Sequence, residues 1–204
     1  MINLFIDTSY KSLYIGVLEK DKLIDEIQMM SEFNFSETLI PKLDELFKKN
    51  NLEFSEIDKI FVTVGPGSFT GIRIGLTVCK TLAFVLKKDI IPISSLEFMA
   101  TTNVDTKYII PFIDARHNKV FGAVYDAGGN SIINDSYCDI QELIDGCAGS
   151  YTLVSYDNLG FNNVINPSYN ALKIIMKHIN DKPINCHELK PNYLKKTEAE
   201  ENLK

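Results

Sequence analysis

Ile2 to Thr8 is a near-continuous apolar run with Asp7 near its end, the pattern of a central strand buried on both faces. Shorter alternating segments follow at Leu13 to Leu18 and Lys22 to Met29 after brief polar turns, which predicts an antiparallel meander. From Ser36 to Lys49 the period lengthens. Leu39, Leu43, Leu46 and Phe47 fall on one helical stripe, with Ser36 as the expected N-cap. Asp58 to Val64 reads as a second buried strand and Ile90 to Ser94 as the next one. Between them, Ile72 to Lys88 reads as a helix closed by lysines that suit its C-terminal dipole. The first hundred residues therefore predict strand, strand, strand, helix, strand, helix, strand.

The pattern then returns. Phe5-Ile6-Asp7-Thr8-Ser9-Tyr10-Lys11-Ser12-Leu13-Tyr14-Ile15-Gly16-Val17 aligns without gaps on Phe112-Ile113-Asp114-Ala115-Arg116-His117-Asn118-Lys119-Val120-Phe121-Gly122-Ala123-Val124. Each copy is an apolar strand, an Asp at its end, a polar turn and an alternating strand. A strand (Ser131 to Cys138), a short helix (Ile140 to Ile144), a strand (Tyr151 to Ser155) and a helix (Ser168 to Ile179) are expected next, the order of the first half with shorter elements. A duplicated βββαβα unit with Asp after its first strand is similar to the actin-like, sugar-kinase and Hsp70 ATPase superfamily, an α/β class with two ribonuclease H-like lobes. The expected lobes are residues 1–101 and a reduced 102–189, with 190–204 completing the first. The shortened second half predicts a narrow or closed cleft between them.

Composition narrows the partners. The 204 residues are 45% hydrophobic and 24% charged, with a formal net charge of −6. That is an ordinary globular balance without the basic surplus of a chain that grips a nucleic-acid backbone alone. The N-terminal apolar run meets Asp7 too soon for a signal peptide, and Ile74 to Leu86, broken by Lys80, is too short to cross a bilayer. Cys79, Cys138, Cys147 and Cys186 have no CxxC spacing, so four reduced thiols in a cytoplasmic protein are expected.

The most informative stretch is Val64-Gly65-Pro66-Gly67-Ser68-Phe69-Thr70-Gly71-Ile72-Arg73-Ile74-Gly75, a strand-to-helix turn. Its glycines permit backbone angles closed to other residues, Pro66 cannot continue the strand, and Thr70 or Ser68 can cap a helix starting near Gly71. Free N–H groups at such a start favour an anion. The spacing nevertheless lacks the Lys of a P-loop and the third glycine of GxGxxG. Both readings stay open: a tight structural turn, or an anion cradle in which Asp7, Thr8, Gly65, Gly67, Ser68 and Thr70 contact a nucleotide.

The segment Gly65 to Gly75 also resembles the signature of the TsaB family, required in bacteria to make threonylcarbamoyladenosine next to the anticodon of certain tRNAs. The resemblance extends to Ile6-Asp7-Thr8-Ser9, Ser36-Glu37-Thr38-Leu39-Ile40-Pro41, Ile113-Asp114-Ala115-Arg116 and Pro191-Asn192-Tyr193-Leu194-Lys195 with Ala199-Glu200. Asn34 stands where many relatives carry His or another polar residue. The sister family TsaD, which transfers threonylcarbamoyl to tRNA, carries a metal-binding HxxxH after its own glycine turn. The corresponding place here is Ser95-Leu96-Glu97-Phe98-Met99, which has neither ligand. His117, His178 and His187 are scattered without a second ligand or paired carboxylate at metal spacing, so they are expected to be surface or satisfied histidines.

Between Ile74 and Leu86 the polar residues are Thr77, Lys80 and Thr81 with Gly75 near the start, too few for the broad polar face of a surface helix. One side packs on the sheet and another needs a cover. The resemblance implies that this helix and the one from Ser36 to Lys49 form a four-helix bundle with TsaD, or with a second copy in a homodimer when TsaD is absent. The expected interface is Leu39, Ile40, Gly71, Arg73, Gly75, Leu76, Thr77, Lys80 and Phe84. Gly71 and Gly75 would allow close approach of a partner helix.

The resemblance thus implies a non-catalytic subunit with no cofactor of its own. ATP or ADP, Mg²⁺ and a catalytic metal would sit on partner subunits, the ATPase TsaE would join as third component, and tRNA would be met only through the complex. The rivals are an actin-like ATPase, small-molecule kinase or peptidase acting alone, and a self-associating homologue with no tRNA role.

Overall fold

Two five-stranded sheets carry the chain in a computed structural model, which describes residues 1–30 and 34–195. The first holds β1 (Ile2–Asp7), β2 (Ser12–Glu19), β3 (Lys22–Met30), β4 (Ile57–Thr63) and β5 (Asp89–Ile93) in the order β3-β2-β1-β4-β5. β1 pairs antiparallel with β2, β2 antiparallel with β3, and β1, β4 and β5 run parallel. The second holds β6 (Tyr108–Asp114), β7 (Val120–Asp126), β8 (Ser131–Cys138), β9 (Tyr151–Val154) and β10 (Val164–Ile165) in the order β10-β9-β6-β7-β8. Its strand directions repeat those of the first sheet. The shared order and polarity establish two actin-like lobes, as the repeated pattern around Asp7 and Asp114 predicts.

Three apolar clusters define the layers. Leu4, Ile6, Ile15, Ile60 and Val62 on one face of the first sheet pack under α1 (Phe35–Lys49) and α2 (Phe69–Leu86). The opposite face, with Phe5, Tyr14, Phe61 and Ile91, meets α3 (Ser95–Met99) and α5 (Ala171–His178), and so does one face of the second sheet through Ile109, Phe121 and Tyr125. α4 (Ile140–Asp145) covers the far side of that sheet. The lobes are therefore welded through a shared helical layer. Phe5, Tyr14, Phe98 and Tyr169 stack at its centre, with centroids 4.3–5.9 Å apart, a spacing that favours offset and edge contacts.

Several local expectations need correction. The N-cap of α1 is Asn34, not Ser36: the Asn34 side chain accepts hydrogen bonds from the Ser36 N–H at 3.3 Å and hydroxyl at 2.7 Å. α2 begins at Phe69 with Ser68 as its cap, through Gly71 N–H at 3.2 Å, so Thr70 lies inside the first turn. The helix stops at Leu86, and Lys87 turns left-handed as its C-cap. At 18 residues α2 is long and apolar enough to cross a bilayer by composition alone. Yet Ile72, Leu76, Cys79 and Ala83 are buried against the sheet.

In the second lobe no helix follows β9. The chain passes from Val154 through a loop to β10, and the final helix starts at Ala171 beyond it. α5 is thus the counterpart of α3, not of α2, and the reduction of this lobe is the loss of its α2. The expected C-terminal completion of the first lobe begins earlier than residue 190. Ile184 bridges Ile90 at the edge of β5, and Leu189 is buried among α2 and its neighbours. Ala199 and Glu200 lie outside the described residues.

Candidate functional site

Asp7 ends β1 in the lobe interior. Its Oδ1 accepts from Ser9 N–H at 2.8 Å, Ser9 hydroxyl at 2.6 Å and Thr63 hydroxyl at 2.6 Å. Burial pushes its carboxyl pKa up, against the pull of those bonds. Thr8 is also buried and donates its hydroxyl to Gly71 C=O at 2.7 Å.

The glycine turn packs directly on this strand end. Ser68 N–H donates to Ser9 C=O at 2.7 Å, and a Cβ on Gly67 would stand 2.1 Å from that same oxygen. A Cβ on Gly71 would stand 2.1 Å from Thr8 C=O, and one on Gly75 2.3 Å from Thr8 Oγ1. Gly65, at φ 109°, lies under Asn192, whose carbonyl oxygen would be 2.9 Å from an added Cβ. The glycines therefore let α2 close on the end of β1 and the C-terminal segment close on the turn itself. They do not serve a partner helix, and the structural reading of the turn prevails over the anion cradle for Asp7, Thr8 and Gly65.

A cleft of about 900 Å³ nevertheless opens between the lobes, contrary to the narrow one expected from the short second half. Gly67 and Ser68 reach its wall, and Thr70 is exposed beside it without lining it. Asp114, Arg116 and His117 of the repeated turn also line it, together with Tyr10, Lys11 and Asp157, to which sequence reasoning assigned no role. Lys11 Nζ pairs with Asp157 at 2.5 Å, the Tyr10 hydroxyl bonds the same carboxylate, and Asp114 N–H donates to it at 2.8 Å. Burial raises the Asp157 pKa, but Lys11, Tyr10 and the Asp114 N–H outweigh it and hold the group below the ordinary carboxylate value. The Lys11 and Tyr10 contacts tie the lobes across the cleft. They join residues 147 and 146 positions apart, which no local pattern could reveal.

The expected interface residues divide in two. Leu39, Gly71, Gly75 and Leu76 are interior, so their assignment to a partner surface is corrected: they form the seam between the helices and the sheet. Ile40, Arg73, Thr77 and Phe84 are exposed and Lys80 is half-buried. Val85, not singled out from the sequence, is 66% exposed and Phe84 61%. α1 and α2 lie side by side with Phe35 against Gly71, leaving an outer face on which these groups stand.

At the place of the HxxxH, Ser95 and Met99 on α3 are buried, and the Ser95 hydroxyl has no partner among the described residues. Glu97 points the other way. His178 at the end of α5 faces Glu97 through Nε2 at 2.9 Å and Asp181 through Nδ1 at 2.6 Å, while Lys177 reaches Glu97 at 2.5 Å. His178 is thus a satisfied histidine, as the sequence predicts, held by two carboxylates. Asp181 is three residues away, and only the fold brings Glu97.

Fold and site together define an actin-like α/β protein whose glycine turn is a structural joint and whose paired helices face outward. The family profile described as "TsaD: tRNA N6-adenosine threonylcarbamoyltransferase" matches residues 30–169. The tRNA threonylcarbamoyladenosine biosynthesis protein TsaB of Bacillus subtilis is 37% identical over 126 residues, 61% of this chain and 55% of that protein. The chain thus aligns with about half of that relative's length. The TsaB protein of Buchnera aphidicola is 28% identical over 83% of this chain and 81% of its own. A crystal structure from Pseudomonas aeruginosa, described as an uncharacterized protein with similarity to peptidase YeaZ, superposes with a TM-score of 0.81 over 95% of this chain and 99% of the other at 19% identity. The chain belongs to the TsaD-like family and within it resembles the TsaB proteins, as the glycine signature indicates.

Proposed function

We propose that this chain is a non-catalytic, cytoplasmic subunit of the machinery that makes threonylcarbamoyladenosine in tRNA, acting by binding and ordering a TsaD transferase. One observation carries the reading: the outer face of two adjacent helices, where Phe84, Val85 and Ile40 are 61%, 66% and 51% exposed. Exposed apolar groups that cluster mark an interaction site, and Phe84 and Val85 are neighbours in the last turn of α2. A partner presenting two helices of the same kind would complete a four-helix layer. A second copy would use the same face when TsaD is absent. TsaE would join the pair, ATP or ADP, Mg²⁺ and the catalytic metal would reside on the partners, and tRNA would be met through the complex, in keeping with the net charge of −6.

An ATPase or kinase acting alone is disfavoured because Asp7, Thr8 and Gly65, the groups it would need at a phosphate, are enclosed. A peptidase is disfavoured because, among the described residues, no histidine is paired with a nucleophile: His178 is held by two carboxylates.

The test is reconstitution of tRNA modification from purified components, with wild type, Phe84→Glu and Val85→Glu. Each charge falls on an exposed site, so the melting temperature should hold. Association with TsaD should weaken at least tenfold, as for loss of an interface anchor worth about 2 kcal/mol, and modification should fall with it. Full modification without this chain would sink the proposal.

A further inference from the structure

The side of α2 that the sequence leaves uncovered is not wholly free. Residues 184–195 run beside it in the opposite direction. Ile184 N–H donates to Ile90 C=O at 3.0 Å. The His187 ring meets Phe84 edge-on at 5.3 Å, Lys80 Nζ donates to Leu189 C=O at 3.1 Å, and the Leu189 side chain enters the core. Asn192 N–H then donates to Val64 C=O at 2.7 Å over the glycine turn. Tyr193 packs its ring, tilted by 41°, against Phe69 with centroids 4.5 Å apart and accepts from Arg73 Nε at 2.8 Å. The dimensions agree: four extended residues from Leu189 to Tyr193 span about 14 Å, within the roughly 10–16 Å that α2 rises between Lys80 and the pair Arg73 and Phe69.

Three residues of the outer face therefore have their side chains engaged by this strap: Phe84 by His187, Lys80 by the Leu189 carbonyl and Arg73 by Tyr193. Long side chains lose substantial rotamer freedom when a partner orders them, and a group already held gives up less. We infer that the C-terminal strap is a positioning element for the α2 face, fixing its first turn through Tyr193 and presenting His187 and Tyr193 as part of the surface a partner meets. The strap's hold on α2 concerns this chain alone. Its effect on association rests on the proposed binding of TsaD.

Tyr193 is 36% exposed and packs outside the main core, so Tyr193→Ala should leave the fold intact. In the isolated chain, amide exchange of residues 69–73 should rise at least tenfold in Tyr193→Ala, with residues 109–125 of the second lobe unchanged. Tyr193→Phe, which keeps the packed ring and loses the bond to Arg73, should fall between. Association with TsaD should weaken at least fivefold in Tyr193→Ala and in His187→Ala.

Unchanged exchange at 69–73 overturns the strap's role whatever the binding result. Raised exchange with undiminished association overturns its part in the docking surface. If Tyr193→Ala does not fold, Arg73→Gln, which breaks the same bond from the helix side, decides the exchange question. Failure of the wild-type chain to bind TsaD overturns the proposed function and, with it, the docking role, while exchange still decides the strap.

Discussion

Thr8 and Ser9, just after Asp7, lie sealed under the glycine turn, whereas the repeat of that turn after Asp114 faces the open cleft. Both begin alike: Asp7 Oδ1 accepts from Ser9 N–H and Asp114 Oδ1 from Arg116 N–H, each at 2.8 Å and two residues on. An Asp that hydrogen-bonds its own backbone two residues ahead is a turn-forming device. The repeated Asp therefore needs no ligand to explain it. The copies part afterwards. In the first, Thr63 and Ser9 complete the carboxylate's shell, and Gly67 and Ser68 close over the backbone. In the second no glycine turn exists, and Arg116, His117 and Asn118 all take left-handed angles at φ 63°, 54° and 58°. Such angles are uncommon outside glycine. Local sequence sets the Asp turn in both lobes, and the element that packs on it decides whether it becomes core or surface.

The sharpest way to break this comparison is to put a methyl group into each lobe at a glycine. At Gly71 the added Cβ meets the backbone carbonyl of Thr8, which cannot yield without moving β1. At Gly122 it meets the tip of the Leu143 side chain at 2.4 Å, which can rotate. Gly71→Ala should destabilise by about 3 kcal/mol even though alanine favours the helix. Gly122→Ala should cost about 1 kcal/mol. Urea midpoints read both, and equal losses would show that the seam between α2 and β1 is no tighter than the second lobe.

A smaller effect separates the aspartates. Asp7→Ala strands two hydroxyls and one N–H in the interior, and should cost about 2 kcal/mol after the relief of burying a carboxylate. Asp114→Ala exposes one N–H to solvent and should stay within about 1 kcal/mol. If Asp114→Ala proves the costlier, the cleft-side turn holds more of the fold than its exposure indicates.

The sequence reading succeeds where periodicity and duplication act over short range. Both meanders, the two-lobe class and the core stripe of α1 follow from alternation and helical spacing, and β8 spans the expected residues 131–138. It misplaces Ser36 as a cap because Asn34 sits just ahead and bonds the same first turn. It misassigns Leu76, Gly71 and Gly75 because composition alone cannot give the rotation of a nearly all-apolar helix about its axis. Only contact with Thr8 fixes which side is inward. The latch of Tyr10 and Lys11 on Asp157, and the strap along α2, join distant segments through single side chains. Such pairs leave no period and no motif in one sequence.

The mildest test concerns what holds the lobes together on the side of α3 and α5. His178 presents both ring nitrogens to carboxylates, Glu97 and Asp181. A neutral imidazole has one N–H to give, so both contacts are hydrogen bonds only in the charged form. The Glu97 bond, with Asp181 in support, raises the His178 pKa above its ordinary 6.5 against the effect of burial. Burial pushes Glu97 up, but His178 and Lys177 hold it below its ordinary 4.5. Asp135, near Glu97 and raised mainly by burial, opposes Glu97's charge.

The signs follow from linkage. The His178 contribution is complete below pH 6.5 and is lost as pH rises through its raised value. The Glu97 contribution is complete above pH 4.5 and is lost as pH falls through its lowered value. The clamp is therefore strongest between about pH 4.5 and 6.5. Wild type should lose melting temperature from pH 6 to pH 8.5 more steeply than His178→Gln, which keeps a polar group without a titrating proton. Histidine NMR should show the His178 resonance titrating above the ordinary imidazole value of 6.5, because both ring nitrogens face carboxylates. Parallel pH profiles for the two proteins would mean that α3 and α5 are held by the stacked ring cluster of Phe98 and Tyr169 alone.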